Sequence, residues 1–115
     1  MKRAELEVFS DASNYMVIRP SGRRFPGSVV QGDSLSILCS EAKEISERIR
    51  SLELKDEELL YLAQDHQEKL LGRLLYYQQV LAEHGIPLPY GQAAQPSDLV
   101  VLVPEDEGNE RSGDN

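Results

Sequence analysis

Two runs of apolar residues at helical spacing constrain this chain more than anything else in it. Leu35, Leu38, Ala42, Ile45, Ile49 and Leu52 step by three or four, and so do Leu59, Ala63, His66, Leu70, Leu74, Tyr77 and Leu81. Side chains three and four apart share one helix face, so the spacing predicts helices over about 33–52 and 56–84. Glu41, Lys43, Glu44, Glu47, Arg48 and Arg50 fall mostly off the first stripe, while Leu60, Leu71 and Leu75 widen the second. Asp33 or Ser34 suits the first N-cap and Asp56 the second, because a side-chain oxygen there accepts an orphan N–H of the first turn. Glu57 and Glu58 then sit at the positive end of the helix dipole. Gly85, Ile86 and Pro87 mark the second C-terminus, glycine for a left-handed residue and proline as a stop.

Only Glu53, Leu54 and Lys55 separate the two helices, so they pack antiparallel as a hairpin. At about 1.5 Å per residue they run to roughly 28 Å and 43 Å. The far end of the second helix, with Leu74, Leu75, Tyr76, Tyr77, Val80 and Leu81, therefore outruns its mate. The sheet, a second copy or a partner is expected to cover it.

The remaining segments read as β structure. Strands are expected at about 4–9, where Leu6 and Val8 alternate with Glu5 and Glu7, at 15–19, and at 28–31 behind Pro26. A fourth is expected at 98–103, where Asp98 leads a continuous apolar run through Val103 that suits a strand buried on both faces. The fold class is α+β: one domain over 1–103, with a small sheet of the N-terminal strands and the C-terminal strand packed on the helical hairpin. Residues 105–115 have no aliphatic or aromatic side chain, and 104–115 are expected to form a disordered acidic tail.

With 115 residues, 12 Lys+Arg and 20 Asp+Glu, the chain carries a net charge of -8. The charge is graded: about +2 over residues 1–32 and -5 in each of 33–85 and 86–115. Broad electrostatic binding of nucleic acid needs the opposite sign, whereas a basic protein surface would be attracted. No apolar run approaches the roughly 20 residues of a membrane helix, and the first residues lack the apolar stretch of a signal peptide. No membrane association and a cytoplasmic location are expected. Cys39 is the only cysteine, so no internal disulfide forms.

Catalytic groups are hard to assemble. His66 and His84 lie 18 residues apart on one helix, about 27 Å, too far to share a metal. His66 falls in the apolar stripe and reads as a core histidine. His84 suits the negative helix end. Cys39, between Ile37, Leu38 and Ala42, reads as an inert buried thiol. Glu41, Glu44 and Glu47 are interleaved with Lys43, Arg48 and Arg50 and read as a solvated surface. No catalytic residue, metal site or cofactor is expected.

The most unusual segment is Gly22-Arg23-Arg24-Phe25-Pro26-Gly27, followed by Gln31-Gly32-Asp33-Ser34-Leu35. Arg23 and Arg24 could grip an anion as planar forks, helped by Ser34 and the first helix N-terminus. Alternatively this is a structural loop in which Phe25 plugs the core. With Val8-Phe9-Ser10-Asp11 and Asn14, the segment resembles a family of small bacterial proteins of unknown function, over roughly residues 5–85. As a small, acidic, motif-poor α+β chain it is also similar in class to the immunity proteins that neutralise bacterial toxins.

The leading expectation is a non-catalytic protein-binding module, an immunity-type inhibitor that occludes a cognate toxin with a basic surface. Glu57, Glu58, Asp65, Glu68, Tyr76 and Tyr77 are its candidate contacts, tyrosine combining a large apolar face with a polar tip. The alternatives are a small-ligand or anion-binding module at Arg23, Arg24 and Ser34, and a structural homodimer in which the second helix pairs with its copy.

Overall fold

A computed structural model describes residues 1–104; the tail expected over 104–115 lies, past Pro104, outside the described residues. The chain runs β1 (Leu6–Ser10), β2 (Val17–Pro20), β3 (Gly27–Ser28), α1 (Gly32–Ser51) and α2 (Glu57–Glu83), with single 3-10 turns at Ser13–Tyr15 and Pro96–Asp98. The three strands form one antiparallel sheet in sequence order. Val8 faces Ile18 but Ser10 faces Val17, so Phe9 bulges out of the register. Tyr15, expected in the second strand, belongs to the 3-10 turn, and the third strand stops at Ser28. The architecture is α+β, with a three-stranded sheet and two helices packed on each other.

Local chemistry places the helix ends. The Asp56 carboxylate accepts the N–H of Leu59 at 3.1 Å, as an N-cap should. Gly85 takes φ +67°, and the N–H groups of Ile86 and Gly85 donate to the carbonyls of Leu81 and Ala82, the paired bonds of a Schellman end. The start of α1 differs from expectation: its N-cap is Gln31, and Asp33 lies in the first turn, where its carboxylate accepts the N–H of Ser34. Starting the helix at Gly32 lets Tyr77 of α2 close over it. A methyl group built at Gly32 would fall within the van der Waals envelope of that ring.

The largest correction concerns residues 98–103, which form no strand. After Pro87 the chain folds back along the hairpin as an extended strap whose backbone is held by glutamine side chains of α2. Gln78 donates Nε2–H to the Ala94 carbonyl at 3.0 Å and accepts the Ala94 N–H at 2.8 Å. Gln67 does the same to Val100, at 2.9 and 2.7 Å. Gln64 Oε1 accepts the N–H groups of Leu102 and Val103. An amide side chain offers one donor and one acceptor, as a peptide unit does, so the strap needs no neighbouring strand. Lys43 of α1 adds an ion pair to Asp98 at 3.1 Å.

The core lies where α1, α2 and the strap meet. Leu35, Ala42 and Ser46 of α1, Gln67, Leu71 and Leu74 of α2, and Val100 of the strap are buried. Two of these are polar, and they satisfy each other: Gln67 Nε2 also donates to the Ser46 hydroxyl at 3.2 Å. The predicted stripes thus hold only in part. Leu38, Ile45, Leu52 and Leu59 are exposed, and so is His66, which is no core histidine. The strap covers one side of the hairpin, leaving the other side of each stripe bare. The far end of α2 is, conversely, covered. Leu74 is 2% exposed, and Leu75, Tyr77, Val80 and Leu81 are half-buried. Gln78 anchors both Ala94 and the Tyr90 hydroxyl there.

Candidate functional site

At 100° per residue, the buried positions Gln67, Leu71, Leu74 and Gln78 define the inner side of α2, and the opposite side forms an outer ridge. Glu58, Asp65 and Tyr76 lie along its crest, with Glu57 and Glu68 on one shoulder; all five are exposed. These expected contacts are therefore brought to one surface, apart from Tyr77. Its half-buried ring packs over Gly32 and is absent from the ridge. The same rotation adds two residues that sequence reasoning missed, Tyr61 and Glu83. Tyr61 is 61% exposed and Tyr76 67%, about 22 Å apart along the axis. Continuing the heptad arithmetic outward from the apolar stripe would have found both additions.

The ridge carries more acids than bases, with Lys69 on its crest and Arg73 on the shoulder opposite Glu68, both exposed. Lys69 pairs with Asp65 at 2.9 Å one turn away. Glu68 and Glu83 accept only neutral partners, from Gln64 and Gln79. Gly72 lies between the tyrosines and has open space where a side chain would stand, which lets another surface approach the helix backbone closely.

The arginine segment is arranged differently. Arg23 lines a shallow hollow with Glu5, Glu7 and Arg19, so acidic groups share its surroundings. Arg19 bonds Glu7, and this hydrogen bond, aided by the charge pair, holds the Glu7 carboxyl below its ordinary pKa and raises that of the Arg19 guanidinium. Arg19 also stacks on Phe9, 5.5 Å from the ring centroid, and donates to the Arg24 carbonyl. Arg24 stacks on Phe25 at 5.3 Å. Phe25 is 72% exposed and plugs no core. At the start of α1, the Ser34 N–H is occupied by the Asp33 carboxylate, which places negative charge where an anion would bind.

Between α1 and the strap lies a cavity of about 250 Å³ lined by Cys39, Lys43, Gln67 and Asp98 among others. Burial pushes the Cys39 thiol above its usual pKa, opposite to what a nucleophile needs. Burial also raises Tyr90, with Tyr77 and Cys39 adding to it. The Asp98 carboxyl is held low, first by the Gln95 N–H and then by Lys43; both bonds fasten the strap. Among the described residues no group of three His, Cys, Asp or Glu side chains could hold a metal ion, and no helix is long and apolar enough to cross a membrane.

A family model described as "Family of unknown function (DUF6959)" matches residues 1–90. The glutamines that hold the strap lie inside that range, and the strap from Ala94 onward lies beyond it. No curated protein and no solved structure matches the chain.

Proposed function

The chain belongs to this family of unknown function, and from its geometry we propose that it is a non-catalytic protein-binding module that presents the outer ridge of α2 to a basic partner. The observation that carries this reading is the placement of Tyr61 and Tyr76, both exposed, among Glu57, Glu58, Asp65, Glu68 and Glu83 on one side of a single helix. Exposed tyrosines give large contact area at little conformational cost, and they are among the residues that dominate binding energy. The surrounding carboxylates steer a positive surface and speed encounter. No residue of the ridge is needed for the core, so a partner could cover it without unfolding anything.

The narrower form of the proposal is an immunity-type inhibitor that occludes the active site of a toxin. Acidity and the lack of an assembled catalytic set support it. The experiment is co-expression with a toxin encoded beside this gene. The expected result is survival with the wild-type chain and loss of protection with Tyr61→Ala/Tyr76→Ala. Binding measured on the same pair should weaken by roughly 100-fold in the double variant, the scale of hot-spot truncation, and its association rate should fall with salt. Undiminished protection by the double variant would remove the ridge from the proposal, and the absence of any toxin beside the gene would remove the inhibitor reading.

A further inference from the structure

The strap lies on the side of the hairpin carrying Cys39 and Lys43 of α1 and Gln64, Gln67 and Gln78 of α2. The opposite side carries the larger apolar groups. Leu38, Ile45 and Leu52 stand there at steps of seven along α1 and its C-cap, 42%, 57% and 65% exposed. Val30 shares a hollow with Leu35 and Tyr77, so the segment before α1 shelters only the end of this side near the start of that helix. Two adjacent apolar stripes on one helix are the pattern of a bundle helix with two neighbours. On α1 the stripe through Leu35 and Ala42 has α2, while the stripe through Ile45 is left exposed by the described residues.

The geometry points to a second copy of this chain as the occupant, packed antiparallel through α1 about a two-fold axis at Ile45. Leu38 and Leu52 are equidistant from Ile45, so in that arrangement Leu38 of one copy meets Leu52 of the other and Ile45 meets its own equivalent. Glu41 and Arg48, exposed beside the stripe, then come together across the interface twice, so like charges do not face. An isologous contact must be self-complementary in this way.

The contact is separate from the α2 ridge and stands or falls independently of it.

Sedimentation equilibrium of the full chain tests the proposal. Wild type at about 100 µM, well above the dissociation constants usual for a standard interface, is expected at twice 12.9 kDa. Ile45→Lys, at a position exposed enough to leave the fold intact by circular dichroism, is expected at monomer mass. Glu41→Lys is expected to weaken the dimer by about tenfold or more through like charge across the axis, and Glu41→Lys/Arg48→Glu to restore it. Ile45→Cys in a Cys39→Ser background is expected to cross-link to a dimer on oxidation. A monomer in wild type, or a dimer indifferent to Ile45→Lys and not cross-linked through position 45, would overturn the proposal.

Discussion

The side-chain amide of Gln67 grips the backbone of Val100 at both ends, accepting its N–H at 2.7 Å and donating to its carbonyl at 2.9 Å. Both residues are buried, Gln67 at 3% and Val100 at 5% exposure. A helix side chain here does what a neighbouring strand would do, and it fixes where the strap lies.

Gln67→Ala leaves the buried N–H and carbonyl of Val100 without their partner and removes a donor to Ser46. Each orphaned buried group costs about 1–3 kcal/mol, so a total loss of about 2–4 kcal/mol is expected, read from the denaturant midpoint. Gln67→Glu should be no milder, since it loses the donor and sets a carboxylate against a carbonyl. Gln78→Ala, at a half-buried position, should cost about 1 kcal/mol.

The Asp98 end of the strap's ion pair responds to acid. The Asp98 carboxyl titrates below its ordinary value because the Gln95 N–H and Lys43 favour its charged form. A carboxyl whose folded pKa is depressed contributes its full stability above the unfolded value and loses it as pH falls through the folded one. The stability gap between wild type and Asp98→Asn should therefore be constant above about pH 4 and shrink below it. Melting curves across pH 2–7 would check this. The gap itself should be small, because both side chains are 40% exposed.

Glu53 is the one non-glycine residue with positive φ among the described residues, at +52° just after α1. Its N–H donates to the Arg50 carbonyl, so it occupies the left-handed position that closes a helix, where a Cβ costs about 1–2 kcal/mol. Glu53→Gly should stabilise the chain by about 1 kcal/mol, less the added entropy of the unfolded glycine. Its melting temperature should rise by about 2–4 °C. A fall would show that the Glu53 side chain makes a compensating contact.

Two helical glycines should respond oppositely to alanine. At Gly32 the new methyl meets the Tyr77 ring, and overpacking of this kind costs about 1–3 kcal/mol. At Gly72 nothing lies within 4 Å, and the gain in helix propensity is about 1 kcal/mol. Thermal melts of the two single variants decide the pair, with Gly32→Ala/Tyr77→Leu expected to recover part of the first loss.

The proposed ridge was largely legible because it depends on local geometry. Acids at Glu57, Glu58, Asp65 and Glu68 and the exposed Tyr76 follow from counting turns outward from an apolar stripe. Tyr77 was legible as part of the apolar stripe, and the miss lay in counting it also as an exposed contact, since the Gly32 it closes over is 45 positions away. The far end of α2 was expected to be covered by the sheet, a second copy or a partner; instead Tyr90 and Ala94 dock on Gln78 there, from a segment that local pattern marks only as irregular.

Local pattern was enough to place the pair of helices and their ends. Apolar spacing, the Asp56 cap and the Gly85 turn act within a few residues of one another, so chemistry written locally is read locally. The tertiary structure alone decided which side of each stripe is covered and what the run from Asp98 to Val103 becomes. That run has the composition of a buried strand. A strand, however, is defined by the partners of its N–H and C=O groups, and here those partners are glutamine amides more than thirty residues away, which no local pattern announces.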